Sequence, residues 1–218
     1  MTIRQIDRSP PEDLTALETM KTPDPDPPID RNSSAYHEAF EVVDGRLTEW
    51  PNKGAHGEVV RSVLLMHLGV FVRRQGLGRA LGPARYRINP RLERRPDVSY
   101  LSTERWPLSR RIPNDPDWPV LPDLAAEVVG WEDPAWDVIA KVREYFDAGV
   151  RAVWLVYPHV EVVHVYHAWD RVEVGTRAGT LDGGAVVPGF RLPLVELFEG
   201  EETPEAPAEP TAGAGPAA

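Results

Sequence analysis

Three residues of this chain have side chains and spacings that suit hydrolytic chemistry. Asp97 stands in Arg95-Pro96-Asp97-Val98, Glu127 in Asp123-Leu-Ala-Ala-Glu127-Val-Val129, and Lys141 follows after a stretch with helical signals. Carboxylate oxygens are hard ligands that suit Mg²⁺ or Mn²⁺. A lysine ammonium is a compact point charge suited to a water or a phosphate oxygen. If the fold brings the three to one point, the chemistry available is metal-assisted hydrolysis of a phosphodiester.

The elements that would position them can be read from local patterns. Asp123 to Val129 is a short apolar run bounded by Pro122 and Gly130, which predicts a buried central strand. Glu127 sits inside that run, where an ionised carboxylate costs several kcal/mol unless it is paired or bound to a metal. Asp97 opens a second strand, Val98 to Leu101, with Pro96 setting an extended entry. If the two strands pair, the carboxylates lie a few ångströms apart and repel unless a cation stands between them.

The helix is expected over Pro134 to Ala148, with Asp133 as N-cap, Pro134 at the first helical position and Gly149 as the stop. Val138, Val142 and Tyr145 recur at helical spacing and mark its buried face. Lys141 borders that face and can reach toward Glu127. It is the only lysine after Lys53. A second reading stays open at this stage, since Asp137 precedes Lys141 by four residues in the order of a surface ion pair.

These residues carry a family resemblance. The segments around Asp97 and Glu127, Asp137 with Lys141 and Tyr145, Gly149-Val150 before Val153-Trp-Leu-Val156, and Val187-Pro-Gly-Phe190 before Leu197-Phe198 together resemble the Uma2 family, over about Tyr36 to Phe198. That family belongs to the PD-(D/E)XK nuclease superfamily. The resemblance implies an α/β, restriction-endonuclease-like single domain, with a mixed, mostly antiparallel central sheet flanked by helices. It implies a Mg²⁺- or Mn²⁺-dependent DNA endonuclease with Asp97, Glu127 and Lys141 as catalytic residues. The metal would be held by Asp97, Glu127 and the backbone carbonyl of Val128, with Glu58 as an accessory ligand; helix N-terminal charge is the other reading of Glu58. The superfamily lysine two residues after the glutamate is replaced here by Val129, and Lys141 on the following helix matches the position usual in Uma2 proteins. Gly130-Trp131-Glu132 stands where relatives more often carry a serine-proline turn. A homodimer is compatible with the resemblance, with Trp118 and Trp131 offering partner surface.

Bulk properties limit the alternatives. A chain of 218 residues with 42% hydrophobic content can bury a sizeable core, and the absence of cysteine excludes disulfides and thiolate metal sites. Residues 1–31 read as a Pro/Asp-rich arm, 32–198 as the nuclease domain and 199–218 as a Pro/Ala/Glu-rich tail, both ends expected to be disordered. No apolar run reads as a membrane span and no signal peptide is legible, so a cytoplasmic location without a membrane partner is the default expectation. The net charge is −10, yet Arg61 to Arg111 holds twelve arginines against Glu93, Asp97 and Glu104. Such an excess can attract DNA phosphates, or can simply cover a surface.

Around this centre, Ala35 to Val43 and Arg46 to Trp50 flank the hairpin signal Asp44-Gly45. A helix is expected from about His56 to Arg74, with Val59, Val63, Met66, Leu68 and Val70 as broad apolar coverage and Gly76 and Gly78 ending it. Ala80 to Ile88 is expected to extend the sheet, Asn114 to Pro122 to loop out with Trp118 exposed, and Glu161 to Tyr166, Arg171 to Val174 and Val186-Val187 to form short strands before a terminal turn at Leu194 to Phe198. His159, His164 and His167 do not make a zinc site, because His164 and His167 fall on opposite faces of a regular strand. No Walker loop and no Gly-x-Ser-x-Gly elbow is present. Besides an active nuclease, two classes remain: a catalytically inactive nucleic-acid- or protein-binding module on the same fold, and a structural protein whose acids and lysine form ion pairs.

Overall fold

The computed structural model describes residues 40–115 and 117–198. The expected N-terminal arm, the start of the first hairpin strand at Ala35 and the C-terminal tail lie outside the described residues. Asp44 and Gly45 take positive φ values of 51° and 84° and close a hairpin between β1 (Phe40–Val43) and β2 (Arg46–Glu49). This is the geometry for which Asp-Gly is suited.

Next comes α1 (Gly54–Arg74), whose buried residues Gly57, Val60, Leu64, Leu68 and Val72 recur every three or four positions and face the core. Of the residues that give the helix its broad apolar coverage, Leu68 is buried, and Val59, Met66 and Val70 are about half exposed. By length and apolar composition alone α1 could cross a bilayer, contrary to the expectation from the sequence. Here its buried stripe packs on a sheet instead.

The strands β3 (Gly78–Leu81), β4 (Arg85–Asn89), β5 (Leu92–Arg94), β6 (Val98–Ser102), β7 (Asp117–Trp118) and β8 (Leu124–Val128) follow. Then come α2 (Ala135–Asp147), β9 (Ala152–Tyr157), β10 (Val162–Ala168), β11 (Arg171–Thr176), β12 (Thr180–Asp182), β13 (Arg191–Pro193) and α3 (Leu194–Phe198). A six-stranded sheet runs β11-β10-β9-β8-β6-β3 and is antiparallel except for the β8–β9 pair. A five-stranded sheet runs β2-β1-β5-β4-β7, and β12 pairs with β13.

The architecture is therefore α/β with a mixed, mostly antiparallel central sheet, but the strands expected to extend one sheet divide between two. Gly82-Pro83 interrupts the chain after β3, and proline cannot donate to a ladder. Beyond that break β4 joins β5 in the second sheet. Val186 and Val187 form a turn rather than the expected strand, and Trp118 is half-buried, edge-on to Trp106 with ring centroids 5.6 Å apart.

The central sheet has a core on each face. On one, Leu124, Ala126, Val128, Val98 and Tyr100 pack against α1, with Trp154 stacked on Phe190. On the other, Ala125, Val153 and Leu155 meet Val138, Val142 and Tyr145 of α2. The five-stranded sheet lies on this second face too, since Ile88 joins that core and the Tyr86 and Ser99 hydroxyls are 2.8 Å apart. Glu127 has the same strand parity as Ala125, so it points to the side shared by α2 and the second sheet.

Gly78 marks a close approach of β3 to β6. A Cβ there would lie 2.0 Å from the Leu101 carbonyl oxygen, and φ is +154°. Gly78→Ala is expected to cost more than about 1 kcal/mol in denaturant unfolding. Gly69→Ala, inside α1 with its nearest neighbour 3.9 Å away, is expected to be neutral or to stabilise by up to about 1 kcal/mol. Equal stabilities for the two variants would contradict the packing of β3 on β6.

Candidate active site

The antiparallel register of β6 and β8 places Val98 opposite Ala126, so one step further Asp97 stands opposite Glu127 on the same face. Each carboxylate has one oxygen held. Val128 N–H donates to Asp97 Oδ2 at 2.8 Å, and the Tyr145 hydroxyl donates to Glu127 Oε1 at 2.6 Å. The other two oxygens, Asp97 Oδ1 and Glu127 Oε2, are buried and make no hydrogen bond among the described residues.

Helix α2 brings Lys141 to this pair, but its partners are not the surface neighbour that its spacing from Asp137 suggested. Lys141 Nζ lies 3.2 Å from Glu41 Oε2 and 3.8 Å from Glu127 Oε2, and Lys141 is only 5% exposed. Asp133, expected as N-cap of α2, does not cap it: Pro134 takes that position, and Asp133 Oδ2 instead accepts from Gly130 N–H at 2.7 Å and Lys53 Nζ at 2.9 Å. Glu58 does not join the cluster. It pairs with Arg61 one turn along α1.

Two buried residues complete the cluster that sequence reasoning missed. Glu41 comes from β1 and receives Arg94 Nη1 at 2.9 Å, the Arg95 N–H at 2.9 Å and the Lys141 ammonium. Lys53, at the entrance to α1, reaches Asp133 and stands 3.9 Å from Asp97 Oδ2. Nothing local to Glu41 marks it, because its lysine partner lies 100 positions away. Lys53 had one visible signal, in being the one other lysine between residues 40 and 198.

Burial, and then the facing Glu127, push the Asp97 carboxyl up to about 7, against the opposing pull of Lys53. Burial also raises Glu127, although Lys141 works against it. Burial disfavours the charge on Lys141, but Glu127 and Glu41 outweigh it and hold the ammonium above its ordinary range. Glu41 goes the other way, because Lys141 and Arg94 together overcome its burial. The cluster thus holds well-compensated charges around two under-compensated carboxylates.

The donor set fits a small divalent cation. Asp97 and Glu127 each offer a hard oxygen without a hydrogen bond among the described residues, and Glu127 borders a cavity of about 10 Å³ also lined by Lys53, Val128, Asp133, Asp137 and Lys141, room for about one water. Among the described residues no group of three or more His, Cys, Asp or Glu stands ready for a metal. A cation here would take most of its shell from the Val128 carbonyl, water and substrate, which suits Mg²⁺ in retaining waters.

The arginine-rich segment has a different use from the one its charge suggested. Arg85 and Arg87 pair with Asp117, Arg87 also with Glu93, and Arg94 bridges Glu41 and Glu144. Arg79 and Arg105 donate to backbone carbonyls. Much of the apparent excess is spent inside the fold.

A family model named Uma2 and described as "Putative restriction endonuclease" matches residues 34–195. A solved structure from Anabaena variabilis, described as "a putative nuclease belonging to DUF820", superposes with a TM-score of 0.65 at 19% identity, covering 73% of this chain and 89% of that one. At that identity the likeness establishes the fold. No curated protein matches.

Asp97→Asn removes a charge that burial and Glu127 oppose while keeping an oxygen for the Val128 amide. It is expected to raise the melting temperature of the metal-free protein at pH 8 by a few degrees. The gain should shrink toward pH 5, where a group whose carboxyl is raised to about 7 already carries its proton in the folded state. A fall in melting temperature at pH 8 would show instead that Lys53 depends on the Asp97 charge.

Proposed function

The chain belongs to the Uma2 family, and from that premise we propose that it is a metal-dependent endonuclease of the PD-(D/E)XK type that hydrolyses phosphodiester bonds in DNA. The observation that carries this reading is the pair of carboxylates facing each other across β6 and β8, each with one oxygen pinned and the other buried without a hydrogen bond among the described residues. Asp97, Glu127 and the Val128 carbonyl would hold Mg²⁺ or Mn²⁺. A cation held by these groups would supply positive charge to the phosphoryl oxygens and lower the pKa of its water.

The remaining steps belong to the protein. Tyr145 fixes the rotation of Glu127 through Oε1, which leaves Oε2 beside the Lys141 ammonium. Glu41 holds the Lys141 ammonium beside Glu127, where it can neutralise charge that builds on a phosphoryl oxygen or orient the attacking water. Water is largely excluded from the cluster, so each of these charges acts more strongly than it would at the surface. Glu58, paired with Arg61, has no part in this scheme.

Lys141 is also structural, contrary to a role at the surface of α2. Removing it leaves Glu41 and Glu127 without their shared cation in a buried site, and Lys141→Ala is expected to cost about 3–5 kcal/mol. Glu41→Gln/Lys141→Met removes both charges together and should recover part of that loss in chemical denaturation. If Lys141→Ala is as stable as the wild type, the buried pairing with Glu41 is wrong.

The test of function is cleavage of supercoiled, linear duplex and single-stranded DNA by the purified protein with Mg²⁺ or Mn²⁺. The wild type should cut, and Asp97→Asn and Glu127→Gln should each lose about 10²-fold or more, as for removal of one electrostatic contributor. Cleavage that survives both substitutions would place the active site elsewhere. Binding without cleavage by the wild type would leave the inactive nucleic-acid-binding module.

A further inference from the structure

Beside the carboxylate cluster lies a second cavity of about 400 Å³, lined by Asn52, Lys53, His56, Trp131, Glu132 and His159 among others. Lys53 borders both cavities, so the two adjoin. Trp131 is 81% exposed, the most exposed of the large apolar side chains among the described residues. Its ring is nonetheless oriented. It lies over the His159 imidazole with centroids 4.1 Å apart and planes 30° off parallel, and His159 meets His56 edge-on at 5.6 Å.

The turn that carries Trp131 is tied to the catalytic cluster. Gly130 N–H donates to Asp133 Oδ2, the Asp133 N–H returns to the Gly130 carbonyl at 3.4 Å, and Lys53 clamps Asp133 while facing Asp97. An aromatic face in water, braced from behind by an imidazole and fixed relative to two buried carboxylates, is suited to a flat ring. The cavity's charge points the same way. Glu132 lines it, no arginine does, and the Lys53 ammonium is committed to Asp133, so it favours a base over a phosphate.

We infer that Trp131, braced by His159, is a stacking platform for an unpaired nucleobase next to the scissile phosphate. This deepens the nuclease reading and rests on it for the substrate class. A base inside a duplex already has stacking partners on both faces and would have to leave them to reach Trp131. The platform therefore predicts a preference for single-stranded or frayed DNA over intact duplex. Trp131 and His159 act in binding and position; they do no bond-making chemistry.

The experiment measures binding of a short labelled oligothymidylate and of a blunt duplex to the full-length protein in EDTA, for wild type, Trp131→Ala, Trp131→Phe and His159→Ala. Trp131→Ala should weaken single-strand binding by about tenfold or more, as expected for loss of one base–aromatic stack, and change duplex binding by less than about twofold. Trp131→Phe should retain most of the affinity, because a smaller aromatic face still stacks, and His159→Ala should fall between. Unchanged melting temperatures are expected for these exposed positions and separate a binding loss from a folding loss. Wild-type single-strand affinity in Trp131→Ala overturns the platform, and if Asp97-dependent cleavage persists the nuclease reading stands without it. Trp131-dependent binding in a protein that cuts nothing upholds the platform and removes the catalytic reading. A wild type that binds neither oligonucleotide overturns the platform.

Discussion

Two buried carboxylates held opposite each other are the constraint on which this structure depends. The β6–β8 register makes Asp97 and Glu127 neighbours, and burial raises both carboxyls. Such a pair persists only if surrounding groups supply positive charge and hydrogen bonds. The fold provides these through four groups from three places: Lys53 before α1, the Val128 amide within β8, and Lys141 and Tyr145 from α2. Compensation stops short of saturation, and one oxygen of each carboxylate is left without a hydrogen bond among the described residues.

The second sheet becomes intelligible in this light. Its β1–β5 register sets Val42 opposite Glu93, so the next pair is Glu41 with Arg94, and their side chains meet at 2.9 Å. Glu41 then anchors Lys141, and Arg94 continues to Glu144 on α2. The hairpin at Asp44-Gly45, otherwise an ordinary turn, ends the strand that holds the lysine in place. Arg85 and Arg87, clamped on Asp117 at the other edge, hold the same sheet together. A positive stretch of sequence that could have served as a DNA-binding surface acts to a large extent as internal bracing.

The arrangement also divides the work between rigid and adaptable parts. Glu127 sits within β8 and Asp97 at the head of β6, two central strands with cores on both sides, α1 below and α2 above. Position on strands fixes oxygens more closely than position on loops. Trp131 sits instead on a turn at the end of β8, exposed but tied back through Asp133 and Lys53. One lysine, between the Asp97 carboxylate and that turn, links the carboxylate cluster to the loop that carries Trp131.

Much of the local structure was legible in the chain. Both central strands, the Asp44-Gly45 hairpin, α2 with its stop at Gly149 and the terminal turn from Leu194 follow from short-range patterns, because turn chemistry and hydrophobic period act over a few residues. Family membership was legible as well, since it rests on the order of those short segments. What failed locally had competing uses in three dimensions. Asp133 looked like a helix cap and became the partner of Lys53, and the broad apolar coverage of α1 did not say which residues face the sheet: Val60, Leu64 and Val72 do, and Val59, Met66 and Val70 are about half exposed. The cluster's remaining members lay beyond sequence reasoning for one physical reason. Electrostatic compensation of a buried charge acts through space, so the group that holds Lys141 could come from anywhere in the chain, and tertiary structure alone selected Glu41 from a different sheet. The residue types that could do chemistry are written in the sequence; which charges stay paired, and which two oxygens are left over, was decided by packing.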